Sequence, residues 1–186
     1  GPAVPFLGIP YPTRATLVRL PGGGLWVCSP IPLCDALEAE VSALGAVQEL
    51  VAPNKIHHLF LQEWKRRWPS ARLHAPPGLA RKRPELSFDG QLSDAPDGAW
   101  AGCIDQVIFR GSLAMDEVVF FHRRSRTAIF TDLIQRFEPS AAQGWRGWLL
   151  RLDGLVGPEG STPREWRLSF VARRRARRAR DAVLAF

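Results

Sequence analysis

A chain of 186 residues is the size of one domain and can bury about 70% of the surface its unfolded form exposes. Hydrophobic residues at 46% and charged residues at 23% exclude a disordered chain, a collagen-like repeat and a disulfide scaffold. No apolar run approaches the roughly 18 residues of a membrane span, and residues 1–12 lack the basic start and apolar core of a signal peptide. Cys28, Cys34 and Cys103 are odd in number and show no paired spacing, which predicts a reducing, cytoplasmic setting.

The net charge of +7 is concentrated near the C-terminus: residues 141–186 hold 10 Lys/Arg against 4 Asp/Glu, whereas residues 1–140 hold 15 against 14. The densest block is Arg173, Arg174, Arg175, Arg177, Arg178 and Arg180. Leu168, Ala172, Ala176, Ala179 and Val183 recur at helical spacing, so the block reads first as the solvated face of a basic helix over 164–186. Its other reading is a contact surface for nucleic acid or another acidic partner. No aromatic residue interrupts the block to stack on bases.

In chain order, residues 1–13 form a Pro-rich lead-in. Residues 16–20 and 25–28 are β-prone and joined by Pro21-Gly22-Gly23-Gly24, a hairpin signature without the helix or GK[ST] of a phosphate loop. A helix follows over 35–44 with Leu37, Val41 and Leu44 on one face, then a short buried strand at 49–52. A second helix spans 55–68 with Ile56, Leu59, Phe60 and Trp64 inward, and a strand covers 72–75. This alternation predicts an α/β layer with parallel pairing. Residues 81–97 read as a long loop, and strands follow at 106–109, 117–122 and 127–131. The last two form a hairpin that places His122 beside Thr127. Residues 138–147 are loop-like, 148–152 an apolar element of undefined type, and 154–163 a linker into the basic helix. The whole reads as one domain over 1–186.

Four histidines and one aspartate are the residues of interest. His57 and His58 sit at the carboxyl end of a strand, where α/β sheets bind ligands. Neighbouring helix positions differ by about 100°, so only one of the two rings can face a pocket. Asp132 closes an apolar strand and needs a partner, which can be a metal, an arginine or backbone amides. His122 lies about 17 Å from Asp132 along the ladder, too far to share a metal. It is expected to pack or to hydrogen-bond at its turn. His74 faces the same sheet edge without a carboxylate near it in sequence. GxSxG and HExxH are absent, and Ser29 and Ser125 show no relay legible in sequence.

Six stretches together carry a resemblance: RATLVRL (14–20), GLWVCSP (24–30), LGAVQELVAPN (44–54) with His57-His58-Leu59-Phe60, WPSARLHAPPGL (68–79) and EVVFFHRRSRTAIFTDLI (117–134). The set resembles an uncharacterised, mostly bacterial and algal domain-of-unknown-function family related to the metallo-β-lactamase fold. The resemblance implies an α/β, metallo-β-lactamase-like αββα sandwich. It also implies incompleteness at the C-terminus, by truncation or by loss of a piece in this member, because the family continues past the basic helix into a further strand and an Ala-His-Gly. Relatives with an intact site carry HxHxDH after a strand and a later aspartate, together holding zinc or iron. Here Pro53 and Lys55 stand at the two leading histidine positions, His57 at the aspartate position and His58 at the final histidine, while Asp132 matches the later aspartate.

Three functions follow as expectations. The first is a pocket around His57, His58 and Asp132, without a dinuclear metal, that binds a small molecule or hydrolyses an unknown substrate. The second is a mononuclear hydrolase of an ester, amide or phosphodiester in which His58 and Asp132, with His57 as a further ligand, hold one zinc, iron or manganese ion. The third is a non-enzymatic module whose basic helix contacts nucleic acid or an acidic partner.

Overall fold

A computed structural model describes residues 1–6 and 9–186. The lead-in is a small antiparallel ribbon of β1 (Ala3–Phe6) and β2 (Ile9–Pro12). Its residues 7 and 8 lie outside the described ones.

The main sheet has five strands in the order β3 (Thr16–Arg19), β4 (Leu25–Cys28), β5 (Val47–Val51), β6 (Arg72–Ala75) and β7 (Gly90–Gln91). The β3–β4 hairpin is antiparallel, and β4 through β7 run parallel. All four residues of β4 are buried, as a strand covered on both faces must be. On one face pack α1 (Asp35–Leu44), α2 (Leu61–Arg67) and α3 (Leu79–Lys82), through Val41, Leu61, Trp64 and Leu79. Gly45 ends α1 at φ 146°, where a Cβ would meet the carbonyl of Gly23.

A second, antiparallel sheet covers the other face, in the order β10 (Thr127–Ile129), β9 (Glu117–His122) and β8 (Ile104–Phe109). Between the sheets lies a core of Trp26, Val51, Trp100, Ile104, Val118 and Phe120. Trp26 meets Phe120 edge-on at 4.9 Å between ring centroids. On the outer face of the second sheet, Val107, Val119 and Leu133 pack with Trp166 of α5 (Arg164–Ser169), and Phe170 and Val183 close the cluster. Helix α6 (Arg173–Leu184) lies along β8. The α/β class is therefore observed, with a mixed main sheet and helices against it.

Several elements differ from the sequence expectation. The second helix begins at Leu61 instead of residue 55, because Asn54 Oδ1 accepts the amides of Ile56 (3.0 Å) and His57 (3.2 Å) and holds a side-chain turn there. Leu59, expected inward, is therefore exposed. The long loop over 81–97 carries the end of α3 and β7. The basic helix is two helices, broken at Phe170–Ala172 where Phe170 turns in to stack on Trp166. Leu168 consequently leaves the stripe and is 83% exposed, while Ala179 is buried. The undefined apolar element is α4 (Gly144–Leu152), preceded by a 3-10 turn at Pro139–Ala141.

Candidate active site

The carboxyl ends of β4 and β5 and the near end of the second sheet meet at one place. Val118 at the start of β9 donates its amide to Pro53 O at 2.8 Å, tying the sheets together by backbone. Five side chains fill the junction: Ser29, Asn54 and His57 from the main sheet, and Glu117 and Asp132 from the second.

Ser29 follows β4 directly and takes φ 56°, a left-handed conformation unusual for serine. Its amide donates to Val51 O at 2.9 Å. Such strain costs about 1–3 kcal/mol and persists only where its surroundings fix it. It aims Ser29 Oγ at His57 Nδ1, 2.5 Å away. His57 Nε2 in turn lies 2.9 Å from Asp132 Oδ2. The tautomer that satisfies both contacts carries its hydrogen on Nε2, donating to Asp132, and leaves Nδ1 to accept the serine hydroxyl. The three side chains form a continuous hydroxyl–imidazole–carboxylate chain of hydrogen bonds.

Below the relay sits Glu117, fully buried. Its Oε1 accepts the Thr131 amide at 3.0 Å. Its Oε2 accepts the Asp132 amide at 2.8 Å, the Leu133 amide at 3.1 Å, the Thr131 hydroxyl at 2.7 Å and Asn54 Nδ2 at 3.2 Å. Asn54 Nδ2 also donates to Asp132 Oδ2 at 2.8 Å. Burial and the charge of Asp132 push the Glu117 carboxyl above its usual range, and the donors pull back against them. For His57, burial favours the neutral ring, but the hydrogen bond to Asp132 and the charges of Asp132 and Glu117 outweigh it and raise the imidazole above 6.5. Burial, helped by Glu117, pushes the neighbouring Cys28 thiol far up, and its side chain packs in the core between the sheets.

The two adjacent histidines separate, as helical or turn geometry requires. His57 joins Asp132, whereas buried His58 faces the other way and its Nδ1 accepts from Arg83. Burial, Lys82 and Arg83 lower the His58 imidazole from its ordinary value. The expected partnership of His58 with Asp132 is thus replaced by that of His57. His74 is bound within the core, with Nε2 2.5 Å from Glu49 Oε2 and its ring edge-on to Trp100. The carboxylate missing from its sequence neighbourhood comes from the adjacent strand. His122 pairs with Thr127 across the hairpin and its Nδ1 lies 2.7 Å from Ser125 Oγ at the turn. Arg173, Arg174, Arg175, Arg177, Arg178 and Arg180 are all exposed on α6.

The donor set does not fit zinc, iron or manganese. Among the described residues, no three His, Cys, Asp or Glu side chains are grouped to hold a metal ion. The Asn54 amide points its hydrogens at Asp132, where a cation would need lone pairs, and Glu117 is occupied by five donors.

Sequence reasoning passed over Ser29, Asn54, Glu117 and Thr131. Two of them carried a signal: Glu117 is the one acid within a strand of otherwise apolar start, and Asn54 follows Pro53 at a strand end where an Asx turn is common. The family described as domain of unknown function DUF4336 matches residues 4–144. The chain belongs to that family. The DUF4336 stretch contains every residue of the junction and stops at the start of α4. Comparison with curated proteins gives no match.

Proposed function

We propose that this DUF4336 chain is a metal-independent hydrolase of carboxylic esters, with Ser29 as nucleophile, His57 as general base and Asp132 as the group that orients and charges the base. The observation that carries the reading is the continuous chain Ser29 Oγ–His57 Nδ1–Asp132 Oδ2, at 2.5 and 2.9 Å. The left-handed backbone of buried Ser29 at a strand end supports it, because that conformation holds the hydroxyl against His57. We further read the two packed sheets with helices on both outer sides as a metallo-β-lactamase-like sandwich. In it, the metal-binding loop after β5 has become a hydrogen-bonded support for a serine.

In the first step Ser29 Oγ bonds to the acyl carbon as its proton passes to His57 Nδ1. That proton then goes to the departing alkoxide, and alcohol leaves. In the second step a water gives one proton to Nδ1 and bonds its hydroxide oxygen to the acyl carbon; the bond from that carbon to Ser29 Oγ then breaks, the Nδ1 proton passes to Oγ, and the acid leaves with Ser29 and neutral His57 restored. His57 Nε2 keeps its hydrogen throughout and donates it to Asp132. Pro30 has no amide hydrogen, so the residue after the nucleophile does not supply an oxyanion donor, and turnover is expected to be slow.

The test is labelling with a fluorophosphonate probe together with hydrolysis of p-nitrophenyl acetate. Labelling should fall on the Ser29 peptide, vanish in Ser29→Ala, drop about 10²–10⁴-fold in Asp132→Asn and be indifferent to chelators. Failure of the wild-type protein to label or hydrolyse, or labelling that survives Ser29→Ala, overturns the reading.

A further inference from the structure

Beyond the DUF4336 stretch the chain carries a helix whose apolar side faces outward. On α4, Trp145, Trp148, Leu149 and Leu152 recur at the i, i+3, i+4, i+7 spacing of one face. They are 69%, 59%, 48% and 48% exposed. On the opposite side Gly147 is buried, and a Cβ there would collide with the Ala142 backbone just before the helix. Single exposed leucines are ordinary, but four large apolar residues aligned on one exposed face mark an interaction surface.

The surroundings of that face are cationic. The helix itself carries exposed Arg151 and no acid. At its C-terminal end Asp153 is bound by Arg164 and Arg167 of α5. Arg167 also lines, with Arg173, Arg177 and Arg180 of α6, an open groove of about 320 Å³ floored by Phe109, Leu133 and Phe170. Among the described residues Arg173 and Arg177 make no ion pair, so their charge is available to an outside anion. Tryptophan and leucine on one face, with arginines around them, is the composition of helices that lie in the plane of a lipid surface.

We propose that α4 seats the protein on an anionic membrane surface, with Trp148, Leu149 and Leu152 inserted among the lipid headgroups and the α5–α6 arginines held over lipid phosphates. No helix among the described residues is long and apolar enough to cross a membrane, so the contact is peripheral. Arginine-rich surface alone would suit nucleic acid equally, but it would leave the tryptophan–leucine face unexplained. A lipid surface accounts for both.

The experiment is co-sedimentation with large unilamellar vesicles of phosphatidylcholine containing one-third phosphatidylglycerol, against vesicles of pure phosphatidylcholine. Wild-type protein is expected to sediment with the anionic vesicles only, with its tryptophan emission quenched by brominated lipid. The Trp148→Ser/Leu149→Ser variant should bind on the order of a hundredfold more weakly, reflecting two apolar side chains no longer removed from water. Both residues are exposed, and an unchanged thermal transition checks that the variant folds. Arg173→Gln/Arg177→Gln offers a second, independent route and should weaken binding while steepening nothing else. Wild-type protein that stays in solution with anionic vesicles overturns the proposal. So does binding that the serine variant retains in full, and so does a wild-type dimer that the serine variant converts to monomer without any vesicle binding.

Discussion

Glu117 Oε2 accepts the backbone amide of Asp132 at 2.8 Å, so one buried carboxylate fixes the position of the other. The amides of Thr131 and Leu133 on either side are bound by the same group. Asp132 therefore reaches His57 from a segment that has left strand β10 yet cannot move. Two carboxylates this close repel each other. The arrangement holds because Glu117 is surrounded by donors and Asp132 is faced by His57 and Asn54.

The first prediction concerns that anchor. Glu117→Ala takes the acceptor from the amides of Thr131, Asp132 and Leu133 and from the Thr131 hydroxyl, while Asn54 keeps Asp132, and should cost about 3–5 kcal/mol in urea unfolding. Glu117→Gln keeps the shape but puts an NH₂ against at least one backbone amide. It also relieves repulsion with Asp132, so its cost should be smaller, about 1–3 kcal/mol. Equal losses in the two variants would show that shape, and not hydrogen bonding, is what Glu117 supplies.

A second prediction follows from His57. In the unfolded chain its imidazole titrates near 6.5, and in the fold its value is higher. The folded state therefore binds this proton more tightly. The stability so gained is complete below about pH 6.5 and is lost as the pH rises through the folded value. Ser29 reactivity runs the opposite way, since only the neutral ring can accept the hydroxyl proton. Its labelling rate should climb with an apparent pKa above 6.5. In Asp132→Asn the main raising influence is gone and burial prevails, so the ring's titration, followed by NMR, should move below its value in the wild-type protein.

The third prediction isolates packing beside His74. A methyl group on Gly90 would stand 2.6 Å from His74 Nδ1. His74 cannot retreat, because Glu49 holds its other nitrogen at 2.5 Å and Trp100 blocks its edge. Gly90→Ala should therefore destabilise by about 1–3 kcal/mol. Gly98 has open space where its Cβ would stand, and Gly98→Ala should fall within about 0.5 kcal/mol of wild type. Thermal unfolding of the pair separates a steric effect from the general cost of replacing glycine.

Much of the scaffold was legible because its elements are bounded by residues with strong local preferences. Helix α1 ends at Gly45, β6 lies between the turn after Pro69 and Pro76, and the β9–β10 register, His122 against Thr127, follows from a four-residue turn. The relay was legible only in part. His57 and Asp132 stood out as polar groups at strand ends, but 75 residues separate them, and nothing local says which of two adjacent histidines faces inward. Asn54 decides that by holding the amides of Ile56 and His57 in a turn where the apolar spacing alone suggests a helix. Ser29 was illegible for another reason. Its significance lies in a backbone angle and in a contact with His57, 28 positions away, and neither leaves a trace in residue type.

The break between α5 and α6 gives the last prediction. Gly111 has φ 114° and its carbonyl accepts the Ala172 amide at 3.2 Å. A Cβ there would lie 3.0 Å from both Ala172 O and Ala176 N, backbone atoms of the segment that docks α6 against β8. Gly111→Ala is thus strained twice, by its own backbone angle and by the helix it meets. The junction residues Ser29, His57 and Asp132 lie on other elements and should be undisturbed, so the damage should be local. Trypsin should then cut the arginines of α6 at least about tenfold faster than in wild type, in line with sub-global opening of one packed unit, while fluorophosphonate labelling of Ser29 is kept. If the tryptic rate is unchanged, the contact with Gly111 is not what holds α6. If labelling falls in parallel, the outer helices and the relay form a single cooperative unit, and the charge-bearing C-terminal segment is coupled to the chemistry on the far side of the second sheet.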